Sequence, residues 1–270
     1  EQKGFTYTAE DGSVFFKISQ FPEYGKLAHL DPEQLISGER VAEDEYEKEE
    51  GRDFALWKGY KQEDGDVCWD SPWGKGRPGW HIECSVMSTH YLGDHFDIHC
   101  GGVDNIFPHH ENEIAQSCAA SGEAFVNYWL HNEHLLVDNK KMSKSEGNFY
   151  TLRDLIEKKY SSAAIRYTLI STHYRAKLNF TFDKVKTSQK CINKLCELKR
   201  RLVLVEIGRD GDVAVPDTDE MLAGFFQKLG DDLNISGALG ELFTWVNAMF
   251  AKLDSDKVNY NSAMQALSAL

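Results

Sequence analysis

His95-Phe96-Asp97-Ile98-His99-Cys100-Gly101-Gly102-Val103-Asp104-Asn105, with Pro108 close behind, is the stretch on which the fold turns. Its first half alternates. Phe96, Ile98 and Cys100 fall on one side and His95, Asp97 and His99 on the other, which is the period of a strand. The glycines and the Asp-Asn pair then read as a turn, and Pro108 as a first helical residue. Upstream, Trp80 to Tyr91 predicts a helix that stops near Gly93. Helix, strand, glycine turn, helix is the rhythm of an α/β protein, and in open α/β sheets ligands bind at the carboxyl ends of such strands.

Working outward, the loop Trp69-Asp70-Ser71-Pro72-Trp73-Gly74-Lys75-Gly76-Arg77-Pro78-Gly79-Trp80 holds too much Pro and Gly for regular structure. Further back, Val14, Phe15, Phe16 and Ile18 read as a short strand after the turn Asp11-Gly12, and Ala42 to Glu50 as an exposed acidic loop or helix face. On the other side, Tyr128-Trp129 leads to Val137 and then to a lysine- and serine-rich loop, Asp138 to Gly147. Thr151 with Asp154 forms a capping box, predicting a helix through Tyr160. From Ser162 the pattern is helical nearly to the end, interrupted by a linker at Gly208-Arg209-Asp210-Gly211-Asp212, with Pro216 just after it.

The chain has 270 residues, enough for one large domain or two to three smaller ones without staples. No apolar run approaches the roughly 18 residues of a membrane span, and Glu1 to Tyr7 is not a secretory leader. The chain does not begin with Met, which leads us to expect a trimmed or partial product. Six cysteines without a C-x-x-C pair point to a reducing cytoplasm. A formal charge of −13 argues against a generally basic nucleic-acid coat. The stretch Lys184 to Arg201 is the local exception, either an RNA-facing surface or a solvated helix face.

Eight of the ten histidines lie between His81 and His134, around Cys84 and Cys100. His109 and Glu113 stand four apart on the helix opened by Pro108, so both can reach one ion. His110 is expected to point away, toward the side of Ile114. Cys84 can supply a thiolate from the preceding helix. The plain alternative is a polar helix start beside a small buried Cys84. His95 and His99 read first as structural histidines. Trp80, one turn before Cys84, either walls a small pocket there or packs into the core. In the loop, Lys141-Met142-Ser143-Lys144-Ser145 places two ammonium groups and two hydroxyls where they suit a polyphosphate; an exposed solvated loop is the plain alternative.

Taken together, these segments resemble the class I aminoacyl-tRNA synthetases, and among them the cysteinyl branch. Lys141-Met142-Ser143-Lys144-Ser145 matches the class I KMSKS loop letter for letter. Gly79-Trp80-His81-Ile82-Glu83-Cys84-Ser85 and Phe107-Pro108-His109-His110-Glu111-Asn112-Glu113-Ile114-Ala115-Gln116-Ser117 resemble the cysteinyl zinc-site segments. Asp53-Phe54-Ala55-Leu56-Trp57-Lys58, Tyr24-Gly25-Lys26 and Asp231-Asp232-Leu233-Asn234 are also similar to that family.

The resemblance implies an α/β fold: the C-terminal half of a class I Rossmann-type catalytic domain with an α/β insertion before it, followed by a stem-contact fold and an α-helical bundle. The corresponding boundaries are a connective insertion at 1–62, the half-Rossmann with its zinc site at 63–138, the KMSKS loop and stem-contact fold at 139–190, and part of the bundle at 191–270. It further implies one Zn²⁺ held by Cys84, His109 and Glu113, with a fourth cysteine and the HIGH-type motif expected before Glu1, so that this chain alone is expected to be inactive. The anticodon-binding portion is expected beyond Leu270. ATP with Mg²⁺ would be engaged by Lys141, Met142, Ser143, Lys144 and Ser145, with Lys141 and Lys144 catalytic. Trp80 would pack against L-cysteine, and tRNA(Cys) would accept the cysteinyl group in the cytoplasm, with no membrane involved. Two other readings are a cysteine ligase of mycothiol synthesis with an amino-sugar acceptor, and a non-catalytic zinc and RNA-binding module derived from a synthetase.

Overall fold

The computed structural model describes residues 1–30, 53–145, 147–205, 215–254 and 258–269. The chain forms two units, Glu1–Asn132 and Glu133–Leu270. Both the acidic stretch at 42–50 and the linker at 208–212 lie outside the described residues.

In the first unit, β1 (Thr6–Thr8), β2 (Val14–Phe16), β3 (Phe54–Gly59) and β4 (Gly76–Pro78) make an antiparallel sheet in that order. The turn before β2 needs Gly12: its φ is +82°, and a Cβ there would meet the Trp73 carbonyl at 2.7 Å. Stacked rings join the strands, with Phe5 to Phe16 at 5.8 Å and Phe16 to Phe54 at 5.0 Å. Phe16, Ile18, Tyr24 and Phe54 share a buried cluster with Ala115 and Ala119, so the sheet is seated on the helix that carries those alanines.

That helix belongs to the expected α/β segment. α1 (Trp80–Leu92) ends at Gly93, with φ +89°. β5 (Phe96–Gly102) runs through a short turn, Val103–Asn105, into α2 (Glu111–Ser121), which closes on a left-handed Gly122. Phe107 is extended (φ −136°, ψ 132°), so the helical turn resumes at Pro108. β6 (Val126–Asn132) then lies parallel to β5, with Phe96 beside Val126 and Gly101 beside His131. A strand, a helix and a parallel strand bring the carboxyl ends of β5 and β6 together next to the start of α2.

One detail of the alternation is inverted. Phe96 is buried, but Ile98 is 57 % exposed and Cys100 is exposed, whereas the His99 side chain is turned inward. The reason lies in α2. Its buried residues include Glu111, Asn112, Glu113, Gln116 and Ser117, so the side facing this stretch of β5 is polar and takes the histidine rather than the isoleucine.

The second unit opens with a tight hairpin. β7 (Leu135–Val137) and β8 (Lys140–Lys141) flank Asp138 and Asn139, both with positive φ (49° and 61°), the geometry a two-residue hairpin needs. α3 (Leu152–Glu157) and α4 (Ser162–Ile170) follow. Then comes β9 (Leu178–Phe180), parallel to β7. The pattern from Ser162 to the linker at 208–212 reads as helix; the strand arises because Leu178 and Phe180 find partners in β7, a pairing no local period announces. α5 (Phe182–Val203), α6 (Thr218–Gly230), α7 (Ile235–Leu253) and α8 (Tyr260–Ser268) pack around Leu198, Leu202, Trp245, Val246 and Met249. No helix among the described residues is long and apolar enough to cross a membrane.

Candidate metal centre and lysine loop

Cys84 on α1 and His109 and Glu113 at the start of α2 converge: one ligand atom from each lies within 4.8 Å of the others. Their placement follows from the segments that carry them. Gln116 donates to the His81 carbonyl (2.7 Å) and the Ser85 hydroxyl (2.6 Å), and Ser117 donates to Ser85 (3.0 Å). These bonds lock α1 to α2 on either side of Cys84. Glu111, fully buried, accepts from the backbone N–H groups of Gly25 (3.0 Å) and Ala28 (2.7 Å), while Tyr24 donates to Asn112 (2.5 Å). The Tyr24-Gly25-Lys26 segment thus anchors the first turn of α2 from outside.

The chemistry of the donor set fits a cation. Glu113 is completely buried, and neither of its oxygens has a hydrogen-bond partner. A carboxylate left in that state costs several kcal/mol, roughly, unless a positive charge meets it. His109 Nε2 stands 2.9 Å from Glu113 Oε1 without bonding to it, while its Nδ1 is hydrogen-bonded to His81 Nδ1 at 2.8 Å. That arrangement suits an imidazole whose proton sits on Nδ1 and whose Nε2 lone pair is bare toward the carboxylate. Burial pushes the Cys84 thiol up, and the charges of Glu113 and Glu83 add to it. A bound cation would reverse that preference, since a coordinating thiol is held deprotonated.

His110 departs from the expected direction. Its ring is buried, its Nδ1 lies 2.8 Å from His131 Nε2, and with His99 and Glu113 it forms a second convergent group within 4.8 Å. Burial holds His99 below the usual imidazole range and pushes His110 down to about 3, helped there by the neighbouring imidazoles His99, His131 and His109. Both therefore stand neutral beside Glu113. His95, by contrast, is exposed and bonds the Ala124 carbonyl at 2.7 Å. Trp80 does not pack into the core. It is 56 % exposed, with its ring centroid 4.2 Å from that of His109, so an indole walls the mouth of the cluster.

In the second unit, Lys141 ends β8, and Lys144 heads a turn closed by Gly147 N–H to its carbonyl at 3.2 Å. Met142 packs against the buried group around Val137 and Phe180, whereas Lys141, Lys144 and Ser145 are exposed. The Ser143 and Ser145 hydroxyls bond each other at 2.7 Å. The Lys144 ammonium sits 5.5 Å above the Phe149 ring. Capping by Thr151 and Asp154 is as read: each side chain accepts the other's backbone N–H.

Several basic side chains of α5 have partners close by. Lys186 pairs with Asp183, Arg200 with Glu197 and Arg201 with Asp254, and Lys194 is bonded to Asn247. Lys184, Lys190 and Lys199 remain, and helical spacing scatters them around the axis.

Sequence reasoning missed Glu111, Asn112, His110 and His131 around the centre. Their sequence carried no signal of it: Glu111-Asn112-Glu113 reads as a polar helix start, and only the structure shows the three side chains buried.

The first 190 residues match the family model for the class I (C) tRNA synthetase catalytic domain, residues 1–190. The cysteine--tRNA ligase of Brachyspira hyodysenteriae is 55 % identical over 269 residues, covering 98 % of this chain and 56 % of that protein. That of Protochlamydia amoebophila is 49 % identical, covering 99 % and 57 %. The chain thus spans little more than half the length of these relatives. Among solved structures, Mycobacterium tuberculosis methionyl-tRNA synthetase in complex with methionyl-adenylate aligns with a TM-score of 0.58 at 14 % identity, over 94 % of this chain and 57 % of that one. A leucyl-tRNA synthetase from Agrobacterium radiobacter K84, in its ternary complex, aligns at 0.56 and 13 %, over 77 % and 32 %. At that identity the two structures speak for the class I fold alone. With most of its length under the family model and nearly all of it aligned to cysteine--tRNA ligases, the chain belongs to the class I tRNA synthetases, on the cysteinyl branch.

Proposed function

We propose that this chain carries the amino-acid-selecting centre and the phosphate-engaging loop of a cysteine--tRNA ligase, which activates L-cysteine with ATP and Mg²⁺ and transfers it to tRNA(Cys). The observation that carries the proposal is the buried, unpartnered Glu113 carboxylate converging with His109 and Cys84. Those three side chains would hold one Zn²⁺. The ion would supply affinity for the substrate's sulfur as thiolate, which a serine hydroxyl, harder and less acidic, cannot match. Recognition of this kind can exceed the roughly 10- to 200-fold available from one methylene in an apolar pocket.

The protein's own groups do the rest. The His81 ring, 2.8 Å from His109 Nδ1, fixes the orientation of the His109 imidazole, and Gln116 and Ser117 hold α1 against α2 so that Cys84 stays beside Glu113. Trp80, at the mouth, would pack against the amino acid. Attack of the substrate carboxylate on the ATP α-phosphorus expels pyrophosphate, and Lys144, with Lys141, would neutralise the developing charge on the leaving oxygens. In this reading 1–62 is the connective insertion, 63–138 the half-Rossmann, 139–190 the KMSKS loop with the stem-contact fold, and 191–270 part of the helical bundle.

Metal analysis of the full-length protein tests the centre. One zinc per chain is expected, and Cys84→Ser should lose both the metal and cysteine-dependent ATP–pyrophosphate exchange. Full zinc content in Cys84→Ser would sink the assignment.

A further inference from the structure

The lysine loop has a spacing problem that its own backbone does not solve. Lys141 is fixed by the β8 ladder, opposite Leu136, and Lys144 by its turn to Gly147. Between them, Met142 and Ser143 belong to no strand or helix. One side chain bridges the gap. The Asn148 Oδ1 accepts the Ser143 N–H at 2.8 Å, and its Nδ2 donates to the Lys141 carbonyl at 3.1 Å. The next residue, Phe149, takes the Lys144 ammonium on its ring. The carboxamide therefore ties the backbone on both sides of Met142, and the ring beside it steadies the second cation.

We propose that Asn148 is the positioning residue of the lysine loop, setting the separation at which Lys141 and Lys144 are presented to a nucleoside polyphosphate. This rests on the reading that Lys144 meets ATP. The chemistry selects asparagine. One planar group must accept and donate at once, and it must be short enough to stay half-buried against the loop. An aspartate keeps the acceptor for Ser143 but turns a second oxygen on the Lys141 carbonyl. An alanine leaves both backbone groups to water.

The test uses the full-length protein with Asn148→Ala, Asn148→Asp and Lys144→Ala. It follows ATP–pyrophosphate exchange, zinc content and the rate of tryptic cleavage after Lys141 and Lys144. Two lost hydrogen bonds in the lower part of the ordinary net range correspond to about a tenfold effect. Asn148→Ala should lower kcat about tenfold, leave the KM for cysteine and the zinc content unchanged, and be cut faster at those two bonds. Asn148→Asp, of equal volume, should fall between wild type and Asn148→Ala. A plain structural defect would instead lower zinc content and raise the cysteine KM together. If Lys144→Ala slows exchange while Asn148→Ala keeps the wild-type kcat, the positioning role is wrong although the loop's function stands. If Lys144→Ala leaves exchange unchanged, the functional reading fails and the proposal falls with it.

Discussion

Gly101 has room for a hydrogen and nothing larger. A Cβ there would lie 2.5 Å from His110 Cε1 and 2.8 Å from its Nε2. The glycine at the end of β5 therefore serves the histidine cluster rather than a turn. Gly101→Ala should cost about 1–3 kcal/mol of stability, measured by chemical denaturation; an unchanged midpoint would show that the ring yields freely. Glu113 makes a prediction of mixed sign. As a buried carboxylate without hydrogen bonds it burdens the metal-free fold and supports the metal-bound one. Glu113→Gln should leave the chelator-treated protein no less stable, yet abolish the rise in melting temperature that added zinc gives wild type by mass action. A zinc-induced rise of wild-type size in the variant would remove Glu113 from the ligand set. Under the proposed role, Lys144→Ala, which removes one of the loop's two ammonium groups, should lower the activation rate by about 100-fold or more with zinc content intact.

At the scale of elements, α2 carries the site. It supplies Glu113, the anchor Glu111, and the Gln116 and Ser117 that grip α1, while His109 sits in the turn that leads into it. Its polar inner side explains why β5 turns His99 inward and leaves Ile98 outside. In the second unit a different device joins elements. Asp232, in the turn between α6 and α7, is held by Arg175 Nε at 2.6 Å and by the Tyr174 hydroxyl at 2.6 Å, both from the loop before β9. The Arg175 hydrogen bond, with that of Tyr174, holds the Asp232 carboxyl below the usual carboxylate range. A carboxyl depressed in the folded state contributes stability above its ordinary value and loses it as the pH falls through the folded one. Asp232→Asn should accordingly melt lower than wild type at neutral pH and match it in acid below the carboxylate range. Equal melting at neutral pH would show that the latch adds nothing. Thr151→Ala, removing the cap of α3, should cost about 1 kcal/mol.

At the scale of the molecule, the metal centre and the lysine loop belong to different units, the first to Glu1–Asn132 and the second to Glu133–Leu270. Each unit has buried clusters of its own, so residues 133–270 expressed alone should unfold in a cooperative transition and take up no zinc; calorimetry with metal analysis checks both. Against the formal charge of −13, α5 stands out as locally basic: it carries seven Lys and Arg against Asp183 and Glu197, a net of +5.

The amino-acid order by itself determined α1, β5, the start of α2 and the capping box of α3, because capping, period and turn chemistry act over a few residues. It also determined the candidate ligands, since His109 and Glu113 are one helical turn apart and Cys84 stands on the adjoining helix. Only the tertiary structure decided that β9 is a strand, that His110 and His131 meet, that Ile98 faces out, and that Glu111 holds Gly25 and Ala28. Those outcomes depend on partners distant in sequence: β9 is selected by its pairing with β7, and the arrangement around α2 by burial of its polar side once its groups find one another.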